Sequence, residues 1–201
     1  MLSPSHGSVM PSQMLVGSTE SKHNVIRLSN DVWKERQAKW DHYFMGNAEA
    51  VSLASKDPST KVGCVITDSD YRIVSTGFNG FPRGIKDTEE RLNNRELKYK
   101  LILHSEPNAI LFAHRDLRNC TIYTWPFMPC SSCALLIIQS GITRVVAPYV
   151  DNSRWEESFK LTKELFEEAN IELTLLDWQS SESRDSKDSE RYSVGHVLGS
   201  I

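Results

Sequence analysis

Apolar positions recur along the chain with two periods, and the switches between them mark out the elements. From Asp31 to about Ser55, Trp33, Trp40, Phe44, Ala48 and Val51 follow at spacings of seven, four, four and three, one stripe of a long helix. Asp31 is placed to cap that helix, and the stripe reads as core. Asp57-Pro58-Ser59-Thr60 breaks the pattern. Lys61 to Thr67 then reads as a buried strand, Asp68-Ser69-Asp70 as a turn, and Arg72 to Phe78 as the hairpin partner. Gly77 to Gly84 is a loop whose three glycines permit tight turns. Asp87 to Lys100 mixes both charges, as a solvated helix or loop does. Pro107 suits the first turn of a helix running to about His114. Thr121 to Trp125 is a strand, and Ser131 to Ser140 a helix closed by Gly141. Arg144 to Ala147, Ser153 to Ala169 and Ile171 to Leu176 follow as strand, helix and strand. Helices alternating with strands predict an α/β sandwich about one sheet.

Composition changes the picture at the two ends. Residues 1–29 are rich in Ser, Pro, Gly and Met without periodicity, and 179–201 are Ser-rich and acidic, so both read as disordered tails around one domain, 30–178. With 201 residues, 39% hydrophobic and 24% charged, the chain is an ordinary globular length that can build a core without disulfides. No apolar run approaches the roughly 18 residues that span a bilayer. The first 28 residues hold no apolar signal core and only one arginine, Arg27, which speaks against a secretory or transit peptide. Cys64 lies in the apolar run Val62 to Ile66 and Cys120 precedes Thr121-Ile122-Tyr123, so both read as buried small hydrophobes. Unpaired cysteines place the chain in a reducing compartment, the cytoplasm. A net charge of −3 argues against a broad nucleic-acid surface, and leaves a mononucleotide open because that needs only one or two local cations.

The remaining two of the four cysteines carry the chemistry. Pro129-Cys130-Ser131-Ser132-Cys133 lies about two dozen residues after His104-Ser105-Glu106. Zinc takes imidazole and thiolate in a tetrahedral array, and catalytic sites use three protein ligands with water in the fourth position. His104, Cys130 and Cys133 supply three. The two cysteines, three apart at a helix N-terminus, share a face where the helix dipole favours thiolate. Glu106, two residues past His104, does not share its helical direction and stands beside the metal as a base for its water. The competing arrangement is a closed structural zinc with a fourth ligand such as His114, which follows His104 by ten residues at the far end of the helix. His6, His23, His196 and His42 lie in the tails or the first helix.

These residues resemble the H-x-E…P-C-x-x-C signature of the zinc-dependent cytidine deaminase superfamily. Over about residues 50 to 176, Asp57-Pro58-Ser59-Thr60-Lys61-Val62-Gly63, Gly77 to Gly84, Asn108-Ala109-Ile110 and Ile137 to Ile142 are similar to the deoxycytidylate (dCMP) deaminase branch. The resemblance implies a three-layer α/β/α sandwich with a central mixed five-stranded sheet. It implies zinc on His104, Cys130 and Cys133, proton transfer by Glu106, and hydrolysis of dCMP at C4 to dUMP and ammonia. Asn79 matches a residue that reaches the sugar, and backbone N–H groups near Ser105 and Cys130 are placed to bind the base. Lys61 and Arg83 are the candidates for the phosphate. Gly77, Asn79, Gly80 and Arg83 are candidate contacts for dCTP or dTTP effectors, and a homo-oligomer is implied. Ser105 and Pro107 stand where the family usually has alanine and a larger aliphatic residue, which bears on pocket shape beside the base. Deamination of another nucleotide, nucleoside, base or nucleic acid, and a zinc-stabilised interaction module, are the rival readings; the intact Glu106 and the acidic balance speak against the last two.

Overall fold

Successive side chains of a strand point to opposite faces of its sheet, and in this chain both faces are apolar. The computed structural model describes residues 30–179. In order these form α1 (Asn30–Ser52), β1 (Gly63–Thr67), β2 (Ile73–Phe78), α2 (Glu89–Asn93), α3 (Arg95–Leu101), α4 (Ser105–Phe112), β3 (Thr121–Trp125), α5 (Ser131–Gln139), β4 (Arg144–Pro148), α6 (Glu156–Glu168) and β5 (Glu172–Leu176). The strands lie in the order β2-β1-β3-β4-β5. β1 is antiparallel to β2 and β3, while β3, β4 and β5 run parallel, so the sheet is mixed.

Cys64, Ile66, Ile122 and Val145 enter one core with Ala109 of α4, Ala134 and Ile137 of α5, and Phe166 of α6. Their sequence neighbours Val65, Tyr123 and Val146 enter the other with Phe44, Met45 and Ala48 of α1. All five residues of β1 are buried, as in a strand covered by helices on both sides. The result is the three-layer α/β/α sandwich expected. Two glycines let the layers close. A side chain at Gly63 would collide with the Ala48 carbonyl of α1, and one at Gly77 with the Ser105 carbonyl at the start of α4.

A buried polar bracket joins α1 to the parallel half of the sheet. Arg144 donates two bonds to the Asp41 carboxylate, at 2.7 and 2.9 Å. Tyr123 Oη and Gln37 Nε2 donate to the same carboxylate at 2.9 and 2.8 Å. Forked guanidinium–carboxylate pairing fixes orientation as well as charge.

Several local expectations are corrected. Trp33 is 49% exposed, because it lies about two helical turns before Trp40, the first residue of the stripe packed against the core; Trp40, Phe44, Ala48 and Val51 do pack inward. The helix ends at Ser52 rather than Ser55, and the last one opens with a short 3-10 turn, Ser153–Trp155. Of the three loop glycines only Gly84 adopts a left-handed φ, 86°, since Gly77 lies within β2. The mixed-charge segment is two short helices, solvated except at Lys98, which is buried. Residues 1–29 and 180–201, where the tails were expected, lie outside the described residues, as do His6, His23 and His196. Among the described residues no helix is long and apolar enough to cross a membrane.

Candidate active site

His104 and Cys130 occupy equivalent places: each is the N-cap of its helix, with φ, ψ of −73°, 165° and −71°, 165°. Neither side chain makes a capping bond, so imidazole and thiol turn toward each other. Pro107 sits in the first turn of α4, where its missing N–H costs nothing. Cys133 follows one turn into α5. His104 Nδ1 lies 3.6 Å from Cys130 Sγ and 3.3 Å from Cys133 Sγ. Bonds of about 2.0 Å to nitrogen and 2.3 Å to sulfur at a tetrahedral angle place N and S about 3.5 Å apart. The three side chains therefore fit one zinc ion, and they are the one such His/Cys/Asp/Glu group among the described residues. His114 is not part of it; its ring lies 6.5 Å from that of Phe112. That leaves the closed structural site without a fourth ligand among these residues.

The donor set also asks for a cation. Contact with Cys133 and with His104 pulls the Cys130 thiol down to about 4, against the effect of burial. The same sulfur contact, with burial, holds Cys133 far above the ordinary thiol range. One thiolate is thus stabilised and the second is not until positive charge arrives, which a divalent ion between two helix N-termini provides. Contact with Cys130 raises His104 against its burial.

Glu106 is buried, and burial raises its carboxyl above the usual range, with His104 opposing. Its Oε2 accepts from Ser105 Oγ at 3.0 Å. Ser105 therefore orients the carboxylate and does not itself line the cavity; nor does Pro107.

A cavity of about 120 Å³ opens from His104, Glu106 and Cys130. That is on the order of the engineered cavity of about 150 Å³ that accepts a benzene ring. Phe127, Trp155 and Phe159 form its aromatic wall, and Asp57, Asn79 and Lys98 its polar wall. Asn79 reaches this cavity, but its side chain also laces the preceding loop: Oδ1 accepts from Val62 N at 2.8 Å and Nδ2 donates to Thr60 O at 3.0 Å. Lys61 is exposed and does not line the cavity. Arg83 lies elsewhere, 5.3 Å above the Phe112 ring, in a cleft shared with Gly77 and Gly80 but not with Asn79.

Sequence reasoning passed over Lys98, whose Nζ meets Asp57 Oδ1 at 2.8 Å and Ser59 Oγ at 2.9 Å inside the cavity wall. Nothing in a mixed-charge run distinguishes the one lysine whose partner lies 41 residues away. The aromatic wall had a faint signal, since Trp155 and Phe159 are a helical turn apart.

Residues 38–148 match the family model described as the cytidine and deoxycytidylate deaminase zinc-binding region. The chain is 47% identical over 142 residues to an uncharacterized deaminase of the luxG 3' region of Aliivibrio fischeri, covering 69% of this chain and 95% of that protein. It is 39% identical to a probable deoxycytidylate deaminase of Caenorhabditis elegans (64% of this chain, 65% of that one) and 40% identical to the deoxycytidylate deaminase of Homo sapiens (54% and 64%). The chain thus spans just under two thirds of the nematode and human proteins. In fold it is similar to the apo dCMP deaminase of cyanophage S-TIM5, with a TM-score of 0.54 at 20% identity over 69% of this chain and 98% of that one. A zinc-fitting His/Cys/Cys group with a buried glutamate beside it, inside a family match that covers more than half of the chain, leads to one conclusion: the chain belongs to the cytidine and deoxycytidylate deaminase family, and is a hydrolytic deaminase with that family's zinc-binding region.

Proposed function

We propose that this deaminase converts dCMP and water to dUMP and ammonia. The observation that carries the reading is the buried Glu106 carboxylate lining a ring-sized cavity together with His104 and Cys130. The relatives named deoxycytidylate deaminase support the choice of nucleotide.

Zinc, when held by His104, Cys130 and Cys133, supplies the Lewis acid that brings the pKa of water to about 7. Glu106 accepts a proton from the attacking water and returns it to the exocyclic nitrogen, so that a C4–O bond forms, the C4–N bond breaks and ammonia leaves. Ser105 Oγ holds the carboxylate in place for both transfers. Ser131 N of α5 is taken by Ser158 Oγ, and the remaining N–H groups at the starts of α4 and α5 are the candidates to favour negative charge developing on the base. Phe127, Trp155 and Phe159 exclude bulk water and give the pyrimidine ring flat apolar surfaces.

Asn79 is suited to a sugar hydroxyl because it lines the cavity, its amide being held by the 57–62 loop. The cleft of Gly77, Gly80 and Arg83 is suited to an effector such as dCTP or dTTP, and the exposed Leu111, Phe112, Leu135 and Leu136 on α4 and α5 are suited to a second subunit. A cytoplasmic nucleotide pool fits the four free cysteines.

Ammonia release by zinc-loaded protein from dCMP, deoxycytidine and cytosine, with and without dCTP, tests the reading. Preference for dCMP is expected. Preference for an unphosphorylated substrate, or for another amino-bearing nucleotide, overturns it. Glu106→Ala is expected to keep its zinc and lose at least about a hundredfold in turnover; loss of the metal as well makes Glu106 a ligand and refutes the proton-transfer role.

A further inference from the structure

The cavity does not end on neutral surface. Away from the metal it reaches Ser59, Lys98, Tyr99 and Arg154. The same four residues also line an outer recess that adds Arg95 and Asn93. Tyr99 and Arg154 therefore stand between the inner cavity and the outside.

Two guanidiniums converge on this point. Arg95 lies 5.5 Å from the Tyr99 ring and Arg154 lies 6.0 Å from it. Arg154 also donates to the Tyr99 hydroxyl and stacks 5.5 Å from the Trp155 ring. Burial pushes the Tyr99 hydroxyl up, but the two guanidiniums outweigh it and hold the phenol below its ordinary value.

The charge here is uncompensated. Lys98 is neutralised by Asp57 at 2.8 Å, and Arg144 by Asp41 at 2.7 Å. Among the described residues no ion pair joins Arg95 or Arg154 to a carboxylate. Two like charges that flank one aromatic ring, at 5.5 and 6.0 Å from its centre, repel, and a doubly negative oxyanion bound between them relieves that repulsion. Guanidinium forks match phosphate oxygens two by two, which a lysine does not do.

Both arginines are carried on elements tied to the reaction centre. Ser131 N donates to Ser158 Oγ at 3.0 Å and Thr162 Oγ1 to Pro129 O at 3.1 Å, so α6, directly after Arg154, is fastened to the cysteine loop. Lys98, on the same helix as Arg95 and Tyr99, is bonded to Asp57, whose loop is laced by Asn79. A ligand spanning from Glu106 to Tyr99 thus meets two ends at a fixed separation, which is what a substrate with a base at one end and a phosphate at the other requires. Two cations at one mouth, in a chain of net charge −3, suit a mononucleotide and not a polyanion, which needs a track of them.

We propose that Arg154, Arg95 and Tyr99 form the phosphate-recognition subsite, taking the phosphate monoester of the nucleotide whose base lies at Glu106. This rests on the reading of the chain as a dCMP deaminase, and it moves the phosphate from Lys61 and Arg83, which do not line this cavity. The test is the ratio of kcat/KM for dCMP to that for deoxycytidine, in the wild type and in Arg154→Gln, Arg95→Gln and the double variant. Both arginines are exposed, so the variants are expected to fold, and zinc content and circular dichroism check this directly. Each single change is expected to lower the ratio about 10- to 100-fold, as loss of a charge-assisted hydrogen bond does, mostly through KM for dCMP. Tyr99→Phe is expected to lower it less. If the wild type prefers dCMP and the double variant keeps that preference, the subsite assignment is overturned and the functional reading stands. The same holds if the preference is lost in Lys61→Gln or Arg83→Gln instead. A wild type without preference for dCMP overturns both.

Discussion

Replacing Lys98 by methionine keeps the length of the side chain and removes only its charge. Side-chain exposure of Lys98 and Asp57 is 5% and 8%, so the ion pair is shielded from water. Taking one partner from a buried pair strands the other and costs about 3–5 kcal/mol. Asp57 keeps donors from Ser59 N at 2.8 Å, Thr60 N at 3.3 Å and Asn79 Nδ2 at 3.4 Å, which places Lys98→Met at the lower end, about 3 kcal/mol. For a chain of this size that corresponds to a fall in Tm of about 6–12 °C. Urea unfolding of zinc-loaded wild type and variant measures the difference. Asp57→Asn in the Lys98→Met background removes the stranded charge while its amide oxygen still accepts from Ser59, and is expected to recover about 1–3 kcal/mol. A Lys98→Met protein within about 1 kcal/mol of wild type, or a double variant no more stable than the single, refutes the view that this pair braces the cavity wall.

Cys133→Ser is expected to lower bound zinc, measured by atomic absorption after dialysis against a weak chelator, with zinc retained at wild-type level refuting its place in the ligand set. Gly77→Ala forces a methyl against the Ser105 carbonyl, so β2 and α4 must separate. A loss of about 1–3 kcal/mol in urea is expected, together with reduced turnover because Ser105 and Glu106 move. Arg144→Met leaves the Asp41 carboxylate buried with only neutral donors, Tyr123 and Gln37, and is expected to cost about 3–5 kcal/mol; an unchanged unfolding midpoint refutes the bracket.

The element order was readable because each element carries its own period. β1 was visible as an apolar run and α5 as a helix stopped by Gly141, whose φ of 81° takes the left-handed conformation that such a stop requires. Trp33 shows where periodicity stops being informative: a stripe records which side of a helix is apolar and not where the sheet begins. Gly77 was read as one of three loop glycines that permit tight turns, whereas its use is the absence of a side chain against Ser105. No local pattern separates those two reasons for a glycine.

The family and the zinc-fitting triad were determined by sequence alone, because ligands delivered from helix N-termini impose short, fixed spacings that survive as a motif. Which cations serve the cavity was decided only by the tertiary structure. Lys61, Arg83, Arg95, Lys98 and Arg154 are alike as letters. What separates them is contact between distant segments: Lys98 meets Asp57 across 41 residues and is neutralised, and Arg154 meets Tyr99 across 55 and keeps its charge. Charge on a chain is local, whereas compensation of charge depends on what folding brings beside it.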